Sequence, residues 1–175
     1  RNLQSVVALV SPHAGYMYSG PVAAHGFYQL AADGRPDTVV LFSPNHTGSG
    51  KPFSLMTEGT WQTPLGKVEI DSELGKKLLA NSSYLQEDKA AHFYEHSIEV
   101  QLPFLQYFKP DFKLVPIILA YAGGAVFKEI GKAIAKAIKE SGKKVIIIAS
   151  SDMTHYEPQT SAQRKDSQAI EAILD

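Results

Sequence analysis

The sequence contains no cysteine. This excludes a disulfide framework, a zinc ribbon and a thiol nucleophile within these residues, and it fits a reducing compartment. An excess of either charge is also missing: 17 basic residues face 18 acidic ones, and no basic run is longer than a pair such as Lys143-Lys144. A polyanion therefore finds no electrostatic footprint. No window approaches the roughly 20 consecutive apolar residues of a membrane span, and the first residues lack the basic, apolar and small-residue order of a signal peptide. Neither nucleic acid nor a membrane is expected as a partner, and the expected location is cytoplasmic. There is no Gly-x-Ser-x-Gly elbow of the α/β-hydrolase type. The loops Gly48-Ser49-Gly50 and Gly123-Gly124 match neither a P-loop nor a dinucleotide fingerprint.

Of the 175 residues, 44% are hydrophobic and 20% charged, a globular composition long enough to bury a core in one domain. Four apolar runs read as strands: Val6 to Val10, Thr38 to Phe42, Lys113 to Leu119 and Val145 to Ala149. Pro21 is placed as a first-turn residue of a helix carrying Val22, Ala23, Gly26, Phe27 and Leu30. Asp71 is placed to cap a second helix with Leu74, Leu78 and Leu79. In the segment from Ala125 to Glu140 an apolar stripe of Val126, Ile130, Ala133, Ile134, Ala137 and Ile138 lies opposite four lysines, and Gly142 stops it. Phe53 to Thr57 and Lys67 to Ile70 read as short edge strands. Strands alternating with helices predict an α/β fold with a parallel or mixed sheet covered on both faces. The chain starts directly in a strand-like run and stops in a helix-like one, so a fragment of a longer protein is expected.

In such sheets ligands bind beyond the carboxyl ends of the strands. Three loops that follow strand-like runs each carry a histidine: His13 in Ser11 to Tyr16, His46 in Ser43 to Gly48, and His155 in Ser150 to Tyr156. Imidazole is a common ligand for transition metals, and a site with open positions can polarise an oxygen or activate water or dioxygen. Asp152 precedes His155 by three residues and can orient the imidazole or share its proton work. A histidine after a strand also serves as a cap or satisfies buried backbone, and this alternative stands for each one taken singly. The segment Glu95-His96-Ser97-Ile98-Glu99-Val100-Gln101-Leu102-Pro103 reads as a buried helix broken near Pro103, with His96 and Glu99 projecting together either as a structural pair or in catalysis. Tyr16, Asn45 and Glu99 are candidates to line the pocket. His25 and His92 read as ordinary helix and loop residues.

Four motifs in order, Pro-His-Ala-Gly-Tyr at 12–16, Ser-Pro-Asn-His-Thr-Gly at 43–48, Glu-His-Ser-Ile-Glu-Val-Gln-Leu-Pro at 95–103 and Ser-Ser-Asp-Met-Thr-His-Tyr at 150–156, resemble the Memo-like family, called AmmeMemoRadiSam system protein B in prokaryotes. The turn Thr63-Pro64-Leu65-Gly66 also fits. The resemblance implies a LigB-like three-layer α/β/α fold shared with class III extradiol ring-cleaving dioxygenases, which use non-haem iron(II). It implies His13 and His46 as metal ligands, with His46 standing where the animal protein has two adjacent histidines, and Asp152 and His155 as the acid/base or secondary pocket pair; His96 remains a catalytic candidate from its own segment alone. The animal protein adds a cysteine from a later segment, so the third ligand stays open, with the chain beyond this sequence as one source. Iron(II) or copper is the implied cofactor, with zinc as a further candidate. The implied function is non-haem redox chemistry, with the reaction and substrate open and a small molecule or a peptide as the ligand. A peptide- or ligand-binding module without catalysis, and a metal-assisted hydrolase using Asp152 as base, are the alternatives. Association with radical-SAM and AMMECR-type proteins is the implied functional context.

Overall fold

The computed structural model describes residues 6–34 and 36–174. Its centre is a set of parallel strands: β1 (Ala8–Ser11), β2 (Thr38–Pro44), β7 (Lys113–Leu119) and β8 (Val145–Ser150). They lie side by side in the order β1-β8-β2-β7. β3 (Phe53–Leu55) adds antiparallel to the end of β7 and carries the short β6 (Gln86–Glu87). A hairpin of β4 (Thr60–Thr63) and β5 (Gly66–Ile70) joins through β5 to the start of β7.

The run Thr38–Pro44 is buried on both faces, and its side chains alternate between two cores, as the two-residue period of a strand requires. Val39 and Leu41 pack with Phe27, Leu30, Leu102 and Leu105. These come from α1 (Tyr16–Asp33) and α3 (Leu102–Phe108). Val40 packs on the other face with Leu74, Leu78, Ile130 and Ile134, from α2 (Ser72–Asn81) and α4 (Gly124–Ser141). The result is the three-layer α/β/α arrangement expected from the alternation. The last helix, α5 (Gln159–Leu174), buries none of its residues. Among the described residues no helix is long and apolar enough to cross a membrane.

Asp71 caps α2 as expected, accepting from the Leu74 N–H at 3.0 Å. The stripe on α4 is buried through Ile130, Ala133, Ile134 and Ala137, and Gly142 ends it at φ 66°. Two boundaries differ from the sequence reading. α1 starts at Tyr16 rather than at Pro21, because the Gly15 carbonyl already accepts the Tyr18 and Ser19 N–H groups and the Ser19 hydroxyl bonds the Ala14 carbonyl. Pro21 thus sits inside the helix. The segment around His96 is not helical from Glu95: it is a turn, then a 3-10 turn at Glu99–Gln101, and Pro103 opens α3 in the first turn, where its missing N–H costs nothing. The expected break near Pro103 is the start of a helix. Gly26 lets α1 lie close on β1, since a methyl there would stand 2.6 Å from Leu9 Cδ1.

Candidate metal centre

Because β1, β8 and β2 run parallel, their last residues face one edge, with Ser11 beside Ser150 in register. His13, Asp152 and His46 each follow their strand by two residues. His96 reaches the same place from the turn before the 3-10 segment. The ring centroids are 5.2 Å apart for His13 and His46, 5.7 Å for His13 and His96, and 5.0 Å for His46 and His96. One ring nitrogen from each lies within 4.8 Å of the other two. His13 is buried at 3% exposure, whereas the side chains of His46 and His96 are 40% and 54% exposed. The cluster therefore has a floor and an open, solvent-facing side.

A buried hydrogen-bond network holds it from below. Glu95 accepts the His46 backbone N–H at 2.8 Å through Oε2 and stands 2.9 Å from His46 Nδ1 through Oε1. His96 Nδ1 is 3.5 Å from the same Oε1. The Ser97 hydroxyl and N–H also donate to Oε1, at 2.5 and 3.1 Å. Burial opposes ionisation of Glu95, but the hydrogen bonds from Ser97 and His46 outweigh it and hold the carboxyl down at about 2. On the other side His13 Nδ1 is 2.9 Å from Ser150 Oγ. Ser150 donates to the Ser97 carbonyl at 2.6 Å and accepts from Gln101 Nε2 at 2.8 Å. Gln101 is itself tied to the Pro12 carbonyl at 2.9 Å and the Ser11 hydroxyl at 2.8 Å. With Ser97 common to both arms, the two metal-capable rings of His13 and His46 rest on one network.

Burial pushes the His13 ring below the ordinary histidine range, against the pull of Asp152, and its neighbours His46 and His96 push it the same way. A neutral ring keeps a lone pair to offer. Asp152 does more than stand beside His155. Its Oδ1 accepts the His13 and Ala14 backbone N–H groups at 2.6 and 3.2 Å, and its Oδ2 lies 3.8 Å from both His13 Nε2 and His155 Nε2. His155 is more than half exposed on the rim. Its loop is tied to α5, where Asp166 accepts the Thr154 N–H at 2.9 Å.

Asn45 shapes the turn after β2, accepting the Gly48 N–H at 2.8 Å and donating to the Ser49 carbonyl at 3.0 Å. Tyr16 is half-exposed on the first turn of α1, edge-on to Phe104 at 5.9 Å. With Glu99 and Pro103 it lines a cleft of about 370 Å³. Burial raises the Tyr16 hydroxyl, and the Glu99 carboxylate adds to the shift. His25 is exposed on α1. His92 is not an ordinary loop residue: it is buried, with Nδ1 3.1 Å from the Asp88 carbonyl and its ring edge-on to Trp61.

The sequence reading did not single out Glu95, Ser97, Ser150 or Gln101. The spacing did not mark them: Glu95, Ser97 and Gln101 stand with His96 and Glu99 in a segment that Ile98, Val100 and Leu102 show to be buried, and Ser150 is a serine at a strand end. Buried polar groups of that kind need partners.

A family model described as Memo-like protein matches residues 1–175. A MEMO1 family protein of Methanococcoides burtonii is 53% identical over 173 residues, covering 98% of this chain and 63% of its own length. One from Thermotoga neapolitana is 50% identical over 173 residues, covering 99% and 62%, and one from Methanothermobacter thermautotrophicus is 46% identical over 172 residues, covering 98% and 62%. The chain thus spans a little over three fifths of the length of these curated relatives. The crystal structure of an uncharacterized Escherichia coli K12 protein superposes with a TM-score of 0.58 at 18% identity, over 85% of this chain and 60% of that one, a likeness of fold.

Proposed function

The chain belongs to the Memo-like family, and from that premise we propose that His13, His46 and His96 hold one divalent transition metal, iron(II) or copper, as the centre of non-haem redox chemistry on a small molecule. The observation that supports this reading is the approach of one ring nitrogen from each histidine to within 4.8 Å of the others. The donor chemistry fits. Three imidazoles suit iron, copper or zinc, whereas calcium and magnesium take oxygen. His46 faces the Glu95 carboxylate with Nδ1, which leaves Nε2 as the nitrogen to bind with, and His13 Nδ1 lies against the Ser150 hydroxyl. Metal-ligating histidines are commonly held this way, by a second hydrogen bond that fixes the ring.

A redox-active ion bound there supplies electron transfer or dioxygen activation. The chain supplies the rest. Glu95 and Ser150 hold the rings in place, and the exposed side of His46 and His96 admits a ligand. His155, on the rim, takes or gives a proton at Nε2, and the Asp152 carboxylate 3.8 Å away stabilises the imidazolium that results.

The test is metal content of protein purified without affinity metals and reconstituted anaerobically with iron(II), copper or zinc, against the His13→Ala/His46→Ala variant. About one metal per chain in the wild type and none in the variant is the expected result. Equal retention by both, or by neither, overturns the reading. Oxygen uptake by the iron or copper form, absent from the zinc form, separates redox chemistry from hydrolysis.

A further inference from the structure

Two groups compete for the single proton of the neutral His13 ring. Asp152 Oδ2, 3.8 Å from Nε2, favours the tautomer with the proton on Nε2. Ser150 Oγ, 2.9 Å from Nδ1, favours the other, provided that the hydroxyl is an acceptor toward the ring. A hydroxyl has one proton to give and two lone pairs. The Ser97 carbonyl at 2.6 Å can only accept, so it takes the Ser150 proton. Gln101 Nε2 at 2.8 Å can only donate, so it fills one lone pair. Its amide cannot be turned round, because Nε2 also donates to the Pro12 carbonyl at 2.9 Å while Oε1 accepts from the Ser11 hydroxyl at 2.8 Å. One lone pair of Ser150 remains, and it points to His13. Ser150 and Gln101 are 3% and 0% exposed, so no solvent is at hand to rearrange the set.

We infer that Ser150 is a positioning residue that fixes the proton of His13 on Nδ1 and so keeps the Nε2 lone pair facing the histidine cluster, with Gln101 and the Ser97 carbonyl holding the Ser150 hydroxyl in the orientation that does this. The consequence for metal rests on the reading given above. The tautomer itself does not, since it is set in the protein without metal.

The experiment is long-range proton–nitrogen NMR of the imidazoles in metal-free, nitrogen-15-labelled protein at mildly alkaline pH, followed by zinc titration of the same samples. Wild type is expected to carry the His13 proton on Nδ1. In Ser150→Ala the Asp152 carboxylate is left without a rival, and the proton moves to Nε2. In Ser150→Ala/Asp152→Asn the new amide keeps Oδ1 for the His13 and Ala14 N–H groups and presents a donor to Nε2, so the proton returns to Nδ1. Zinc affinity falls by about 10–100-fold in the single variant and recovers in the double one. A purely structural Ser150 predicts no return in the double variant. A wild-type proton on Nε2, or an unmoved proton in folded Ser150→Ala, overturns the inference, and the wild-type spectrum decides this even where the variant does not fold. Should the proton move as stated while no sample binds zinc, the inference stands and the metal reading falls; zinc binding with an unmoved proton does the reverse.

Discussion

Glu95 engages His46 twice, accepting its backbone N–H at 2.8 Å with one carboxylate oxygen and facing its Nδ1 at 2.9 Å with the other. Both oxygens act as acceptors, and an amide has only one. In Glu95→Gln one orientation sets an N–H against the His46 backbone donor, and the other presents one to Nδ1, which moves the ring proton to Nε2 and takes away the lone pair there. Zinc affinity is expected to fall by about 10–100-fold. Calorimetric titration of the two proteins checks this, and equal affinities would show that Glu95 acts on the fold alone.

The same carboxylate makes stability depend on acid. Its pKa is held down at about 2 in the folded protein, against 4.5 as the ordinary value, so its contribution is complete above the ordinary value and is lost as pH falls toward about 2. The gap corresponds to about 3 kcal/mol. Urea unfolding across this range is expected to show a decline in wild type that is shallower in Glu95→Gln, which has no proton to take up there. Parallel declines would place the acid sensitivity elsewhere, with Asp71 the next group to examine: burial opposes its ionisation, but hydrogen bonds from Thr38, Leu74 and Lys143 hold it low.

Gly50 closes the turn that carries His46 away from β2. Its φ of 72° is left-handed, and a Cβ there would collide with the Asp88 carboxylate and stand 2.5 Å from the Ala91 nitrogen. Asp88 is occupied in turn by the Lys51 and Ala90 N–H groups. Gly50→Ala is expected to cost about 2–4 kcal/mol, from backbone strain and displacement of this clamp. Chemical denaturation measures it. A loss below about 0.5 kcal/mol, the range of an indifferent surface change, would mean that the turn relaxes freely.

The layers were legible because β2, β7 and β8 are apolar runs, two of them ending at a serine or proline, and because the α4 stripe has an unbroken helical period. The strand-end rule then brought His13, His46 and Asp152 to one edge without further information. It could not bring His96 there. His96 lies after no strand, and its segment looked like the body of a helix until Pro103 began one. Nor could periodicity find Ser150 or Gln101, since a serine at a strand end and a glutamine in an apolar helix acquire meaning only from partners up to 90 residues away, as Ser11 and Gln101 are. Pro21 misled for a local reason: it marks the first turn in most helices, and here the Gly15 carbonyl and the Ser19 hydroxyl start the helix a turn earlier.

His96 and His155 stand on the same rim, are both more than half exposed, and differ in what they face. The His96 ring is 5.0 Å from that of His46 and belongs to the nitrogen cluster, whereas His155 Nε2 faces the Asp152 carboxylate at 3.8 Å. Removing His96 takes away a ligand. Removing His155 takes away a proton carrier and leaves the ligands untouched. His96→Ala is therefore expected to lose zinc or cobalt affinity by at least about a hundredfold, more than loss of a partner behind a ligand costs, and His155→Ala by less than about threefold. Neither should shift the unfolding midpoint of the metal-free protein appreciably, because both side chains are exposed and exposed substitutions usually stay within about 0.5 kcal/mol. The visible spectrum of the cobalt form gives a second reading, since it reports the donor set: it should change for His96→Ala and stay as it is for His155→Ala. If His96→Ala keeps its metal affinity and its cobalt spectrum as His155→Ala does, His96 is not a ligand.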